Sequence, residues 1–154
     1  MKTIMIDTSK EYVAIIIGEE SILKILNSRL RKAFGKTVHM RELKLSEKLS
    51  VLRMFNRLFS ERAVKLYSLK PKANSWWWTE LIKGVIKRRI STLYVDLEVY
   101  QELRRKVHPL YLKPLNIYPS KEKTQCADIL AYGDSHRKFV RNIWKELSIE
   151  RGES

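Results

Sequence analysis

Hydrophobic residues alternate with a period of two in some segments of this chain and recur every three or four residues in others. Alternation, the pattern of a half-buried strand, covers residues 2–7, 11–17, 36–43, 63–69, 92–100 and, more briefly, 115–118. Helical spacing covers a segment that Ser21 begins and Gly35 ends, a second from Ser46, a third over 76–90, a short one over 101–107 and a long one from Thr124. A strand hairpin followed by alternating helices and strands predicts an α/β fold, a mixed β-sheet flanked by helices.

The length of 154 residues favours one domain, which we place at residues 1–150. Residues 151–154 are expected to be a frayed C-terminus. Two prolines make the loop 108–114 the best candidate for a flexible flap.

Composition narrows the choice of partners and of cellular location. Lys and Arg number 31 against 17 Asp and Glu, and this net charge of +14 favours a polyanionic partner, most simply nucleic acid. No apolar run approaches the roughly 18 residues that span a membrane, so no membrane association is expected. The single cysteine, Cys126, fits a cytoplasmic protein, and three widely spaced histidines argue against a zinc site.

Three carboxylates come from well-separated elements. Asp7 ends the first strand, Asp96 lies on a late strand, and Asp128 lies one turn into an otherwise apolar helix. A sheet can bring the first two together and a helix packed across it can add the third, but the cluster would repel itself unless Mg²⁺ or Mn²⁺ neutralised it. Alternatively, Asp128 lies on the solvent edge of an amphipathic helix. Further acidic candidates for metal binding are Glu42, Glu98 and Asp134.

Short motifs in the same regions resemble a known family. Asp7-Thr8-Ser9 after a hydrophobic strand, Val38-His39 before a helix and Gln125-Cys126-Ala127-Asp128 near the end are similar to motifs of the DUF3800 group, which has a ribonuclease-H-like fold. Archaeal single-strand-specific DNA exonucleases with that fold also look similar. The resemblance implies metal-binding, catalytic roles for Asp7 and Asp128, with Asp96 as the third ligand. Thr8 and Lys10 stand where the family has Glu and Gly.

Aromatic and basic residues supply candidates for nucleic-acid binding. Trp76-Trp77-Trp78 fan over about 200° of a helix at about 100° per residue, so at least one ring should be exposed or at an interface. Exposed tryptophan beside basic residues would let unpaired bases stack. Alternatively, two rings pack on the sheet and the third makes a subunit contact, the basic run is a solvated face, and His136 is an ordinary surface histidine. The candidates are Trp76, Trp77, Lys83, Lys87, Arg88 and His136.

Three functions are consistent with these features. The first is a metal-dependent nuclease that cleaves phosphodiester bonds by a two-metal mechanism, with single-stranded DNA exonuclease as the expected activity. The second is a non-catalytic nucleic-acid-binding module with the same fold. The third is a protein-interaction subunit that docks through its tryptophans, and a homo-oligomer is compatible with all three.

Overall fold

One mixed β-sheet runs through the molecule. A computed structural model describes residues 1–60, 62–71, 76–144 and 147–153. Within these ranges six strands are ordered β5–β4–β1–β2–β3–β6. Strands β1, β2 and β3 are antiparallel neighbours, β4 and β5 run parallel to β1, and β6 runs parallel to β3. The strands are β1 (Lys2–Ser9), β2 (Tyr12–Glu19), β3 (Lys65–Lys70), β4 (Thr92–Val95), β5 (Asn116–Pro119) and β6 (Ile149–Glu153).

Helices cover both faces of this sheet, which confirms the predicted α/β class. The described helices are α1 (Glu20–Phe34), α2 (Leu45–Phe59), α3 (Trp76–Lys87), α4 (Leu97–Lys106), α5 (Pro109–Leu112), α6 (Gln125–Ser135) and α7 (Arg137–Val140). Helices α1, α2 and α6 share one hydrophobic core with the sheet, and α3 and α4 share the other. None of the helices in the described ranges is long and apolar enough to cross a lipid bilayer.

The side-chain alternation of β1 decides what faces each core. Ile4 and Ile6 pack into the core under α3 and α4, whereas Met5 packs into the core under α6. Because successive side chains of a strand point to opposite faces, Asp7 lies on the same face as Met5, towards α6. The hairpin, the first two helices and β3 agree with the predicted segments, and Gly35 ends α1 with the positive φ of 70° that glycine favours.

Residues 36–43 do not form the predicted strand. The segment contains a short 3-10 helix, Met40–Glu42, and its backbone amides bond to side chains of α6. The Val38 amide donates to Gln125 Oε1 at 2.8 Å, and the Met40 amide donates to Asp128 Oδ2 at 2.7 Å. Because buried amides need a partner and α6 supplies it, the segment lies along this helix instead of joining the sheet.

The predicted strand over 92–100 is correct only in its first half. Strand β4 ends at Val95, and the Asp96 side chain accepts the Glu98 amide at 3.2 Å, which caps the start of α4. Helix α4 therefore begins four residues before the predicted helix 101–107. The predicted loop 108–114 contains the short helix α5.

The C-terminal region differs most from the prediction. Helix α6 ends at Ser135, so the long helix predicted from Thr124 is broken near His136. Residues 149–153 pair with β3 as strand β6, so the expected frayed end is wrong for 151–153, while Ser154 lies outside the described residues.

Gly133 leaves room for a ring from the segment that follows α6. The Trp144 ring lies against Gly133 and stacks on Phe55 with ring centroids 5.2 Å apart. A methyl group at Gly133 would lie 2.7 Å from Trp144 Cζ2, which is closer than real contacts allow. Only glycine therefore fits between α6 and this ring.

We expect Gly133→Ala to lower the free energy of unfolding by about 1–3 kcal/mol, the usual effect of overpacking a core. Urea unfolding would measure it. Gly84→Ala is the matched control: Gly84 lies in α3 with nothing within 4 Å of the added methyl group, so alanine there should stabilise the helix by up to about 1 kcal/mol. Equal effects of the two substitutions would contradict the packing account.

Candidate functional site

Three acids meet at the carboxyl ends of two parallel strands. Strands β1 and β4 are paired with Ile6 opposite Val95, and the Asp96 amide donates to the Ile6 carbonyl at 3.2 Å. Asp7, the next residue on β1, and Asp96 therefore leave the sheet side by side. Helix α6 crosses β1 and adds Asp128. Together with Glu98 these acids line one pocket of about 210 Å³, which holds three of the four aspartates in the chain.

The environment of Asp7 strongly disfavours a negative charge. Its side chain is buried, and burial is the main reason why its pKa is raised from 3.8 to about 9. The charges of Asp128 and Asp96 raise this pKa further, as does a side-chain hydrogen bond with Asp128. The Thr8 amide, which donates to Asp7 Oδ1 at 2.7 Å, acts in the opposite direction. Without a cation in the pocket, Asp7 therefore keeps its proton at neutral pH.

Asp128 is held in place by the segment before the 3-10 helix. Its Oδ2 accepts the Met40 amide and lies 3.3 Å from His39 Nδ1. With Nδ1 as the donor, the ring nitrogen Nε2 of His39 is left buried and without a hydrogen-bond partner among the described residues. Oδ2 of Asp128 is thus held by the protein, and the carboxyl group also shares a hydrogen bond with Asp7 inside the pocket.

The donors suit a hard cation by their chemistry, although they are not arranged around one point. Carboxylate oxygens are the ligands that Mg²⁺ and Mn²⁺ prefer. The repulsion among Asp7, Asp96 and Asp128 is what a divalent cation would remove, and no described Lys or Arg forms an ion pair with any of them. However, no group of three His, Cys, Asp or Glu side chains within the described ranges is positioned to hold a metal ion.

Of the other three acidic candidates, one lines the acidic pocket and two do not. Glu98 lines the pocket and is exposed. Glu42 points to Lys121, with Oε1 3.0 Å from Nζ, and does not line the pocket. Asp134 is only 1% exposed and accepts Arg151 Nε and Nη2 at 2.9 and 2.8 Å. Its oxygens are occupied by this ion pair, so the metal-ligand role predicted for Asp134 is corrected to a structural one.

The tryptophans and their basic neighbours lie apart from the acids. Trp78 is buried and Trp77 stacks on it with centroids 3.9 Å apart, whereas Trp76 is 73% exposed, as expected of at least one ring. None of the three lines the acidic pocket, although Trp78 lines an adjacent groove that shares Thr8 and Glu98 with it.

The basic candidates in α3 and directly after it also lie outside the acidic pocket. Lys83 pairs with Glu80, Lys87 is exposed, and Arg88 donates to the Tyr67 hydroxyl at 3.3 Å. His136 does not line the pocket either, but its ring stacks on Tyr132, which does.

Sequence reasoning missed several residues that line the pocket. Lys10 and Arg41 bring positive charge to it, and His39 and Tyr132 complete its wall. One signal was available for Lys10, since it directly follows the Asp7-Thr8-Ser9 motif. The sequence contains no signal that places Arg41 at the pocket, because residues 36–43 alternate in the manner of a strand.

A mixed sheet with acids at the ends of two central parallel strands, and helices on both faces, defines a ribonuclease-H-like fold. A chain described as "Structure of the PCNA:RNase HII complex from Archaeoglobus fulgidus" has a similar fold, with a TM-score of 0.52 and 12% sequence identity over 94% of this chain and 78% of that one. At this identity the similarity establishes the fold alone.

Sequence comparisons add no closer relative. No family model matches the chain, and no curated protein sequence matches it either. The fold implied by the resemblance to the DUF3800 group is confirmed, whereas membership of that group or of the exonucleases has no support from these comparisons.

Proposed function

We propose that this protein is a metal-dependent nuclease that hydrolyses phosphodiester bonds of nucleic acid. The observation that carries this proposal is the meeting of Asp7, Asp96 and Asp128 in one pocket at the ends of two paired strands. The raised pKa of the buried Asp7, caused by burial and by its two neighbouring aspartates, supports it. Packing three of four aspartates into one pocket is unfavourable for folding and useful for holding a cation. The ribonuclease-H-like fold, shared with a protein named as a ribonuclease, agrees with this function.

In this proposal Asp7, Asp96 and Asp128 hold Mg²⁺ or Mn²⁺, with Glu98 as a further ligand at the open side. When bound, such a cation supplies activation of the attacking water and neutralises charge at the phosphate. Asp7 gives up its proton on binding. The Met40 amide and His39 keep the Asp128 carboxylate in a fixed orientation.

The finer part of the proposal concerns the substrate. The net charge of +14 supports binding to a polyanion, and the exposed Trp76 supports stacking with unpaired bases. Together with the resemblance to single-strand-specific exonucleases, this favours single-stranded DNA degraded from an end. The fold shared with RNase HII makes RNA and RNA–DNA hybrids the necessary comparison.

Asp128→Asn tests the proposal. End-labelled single-stranded, double-stranded and hybrid substrates are incubated with and without Mn²⁺, and we expect metal-dependent cleavage that the substitution lowers by at least about 100-fold, since even indirect partners of a metal are worth about 10–100-fold. Glu11→Gln, which removes an exposed acid outside the pocket, is the control and should cleave like wild type. A folded Asp128→Asn protein with wild-type cleavage contradicts the assignment.

One observation favours a second candidate, a non-catalytic nucleic-acid-binding module. The described acids are not arranged as a three-ligand group. A protein of this kind would bind oligonucleotides in a salt-dependent manner, would be indifferent to EDTA, and would leave every substrate above intact with Mn²⁺ present.

A further inference from the structure

Two basic side chains line the acidic pocket itself. They are Lys10 and Arg41, and both are exposed. Arg105 lines only the adjacent groove, where it and Lys106 share the single carboxylate of Glu102. Lys10 forms no ion pair with a described residue. A polyanion that reaches the acids would therefore find uncompensated charge on the side of Lys10 and Arg41.

The backbone of Lys10 is in a conformation that a lysine rarely adopts. Ser9 pairs with Tyr12, so Lys10 and Glu11 form a two-residue hairpin turn, and Lys10 has a φ of 55°. Glycine is the favoured residue at such a position, because a Cβ is strained there. Backbone strain of this kind is frequent at functional sites, and at the edge of a polar pocket it indicates a role for the Lys10 side chain.

Arg41 comes from a different element but is fixed to the same acids. Arg41 directly follows Met40, whose amide donates to the Asp128 carboxylate. This hydrogen bond fixes the backbone of the 3-10 helix, and with it Arg41, beside the acidic pocket. Glu42 pairs with Lys121, with Oε1 3.0 Å from Nζ, and within the described ranges it forms no ion pair with Arg41.

A third cation extends this side. Lys48 Nζ lies 5.1 Å from the centre of the Tyr132 ring, and Tyr132 lines the pocket. Positive charge therefore continues from the hairpin turn across the 3-10 helix to α2.

We propose that Lys10 and Arg41 bind the phosphates that flank the phosphodiester bond at the acids, so that the nucleic-acid strand runs from the β1–β2 turn across the 3-10 helix and not along α3. This inference rests on the proposed function, because the strand must present a phosphodiester to Asp7, Asp96 and Asp128. It adds the path of the substrate and two binding residues that lie outside the acidic cluster.

Binding without metal separates this inference from catalysis. Fluorescence anisotropy of a labelled single-stranded oligonucleotide is measured in EDTA at several salt concentrations. Lys10→Ala and Arg41→Ala should each weaken binding by about 5–10-fold and reduce the salt slope by about 0.7, the value for one lost phosphate contact on a single strand. Lys32→Ala, an exposed lysine in the last turn of α1, is the matched control and should leave both quantities unchanged.

Lys10→Gly separates the side chain from the turn. It should lose affinity like Lys10→Ala, yet its melting temperature should equal or exceed that of wild type, because glycine relieves the strain at φ 55°. A residue kept only for the turn would show the higher melting temperature without the loss of affinity, and that result overturns the inference. Greater loss in Lys87→Ala than in Lys10→Ala overturns it too, since it would place the strand along α3.

The two proposals fail in different ways. If wild type binds through Lys10 and Arg41 but cleaves nothing with Mn²⁺, the nuclease proposal fails and the binding path stands. If cleavage depends on Asp128 while Lys10→Ala and Arg41→Ala bind normally, the nuclease proposal stands and the binding path is wrong.

Discussion

Asp7→Asn should abolish cleavage and at the same time make the protein more stable. Asparagine has nearly the same shape, can still accept the Thr8 amide and can donate to Asp128, so the pocket keeps its geometry. It removes a carboxyl group whose ionisation the fold strongly opposes. Loss of activity with a gain in stability is the behaviour of a residue retained for function.

The pH dependence has a definite sign. The pKa of Asp7 is about 9 in the folded protein, raised by burial and by Asp128 and Asp96, against 3.8 for an ordinary aspartate. The stabilising contribution of the protonated group is complete below pH 3.8 and is lost as the pH rises towards 9, because the unfolded chain releases the proton and the folded chain keeps it. Asparagine does not titrate, so the stability advantage of Asp7→Asn should grow over that range.

At pH 7 the difference in the free energy of unfolding should be about 2–4 kcal/mol in EDTA, since each pKa unit is worth about 1.4 kcal/mol. Urea unfolding of both proteins at pH 5, 7 and 8 measures it, and the pH 5 samples serve as the internal control, where the gain should be smallest. If the acids hold a cation as proposed, Mg²⁺ or Mn²⁺ should then stabilise wild type more than the variant, which lacks one of the ligands. A variant that is less stable than wild type at pH 8 contradicts this account of Asp7.

The sequence predicts this site better than it predicts its surroundings. Alternation along β1 puts Asp7 on the face that α6 covers, which is a property of a short segment. The sheet brings Asp96 beside it as expected, but Asp96 follows strand β4 and caps α4 instead of lying within a strand over 92–100. The roles of the acids remain predictions.

What the sequence does not predict depends on contacts between distant segments. Val38 and Met40 bond to Gln125 and Asp128, which lie more than 80 positions further along the chain, so the alternating pattern of 36–43 is overridden. After the break that follows α6, Trp144 packs against Gly133 of that helix and against Phe55 of α2. No periodicity within either segment contains this information.

Arg151→Ala should lower the free energy of unfolding by about 3–5 kcal/mol. The Arg151 guanidinium donates to both oxygens of Asp134, whose side chain is almost fully buried. Removing the guanidinium leaves a buried charge without a partner, which is far more unfavourable than losing an exposed ion pair. Urea unfolding measures the effect, and Arg53→Ala, an exposed arginine on α2, should change the free energy of unfolding by no more than about 0.5 kcal/mol.

A second substitution distinguishes a buried charge from a lost contact. Asp134→Asn in the Arg151→Ala background removes the uncompensated charge, so the double variant should be more stable than Arg151→Ala alone. If the double variant is less stable, the aspartate has another partner, and the ion pair is not what joins β6 to α6. Asp128 and Asp134 lie six residues apart on one helix, yet the first faces other carboxylates and the second an arginine. Asp7 contacts Asp128 near the start of α6, and Arg151 contacts Asp134 near its end. A gain in stability on neutralising Asp7 and a loss on removing Arg151 would show that the start of this helix serves binding and its end serves folding.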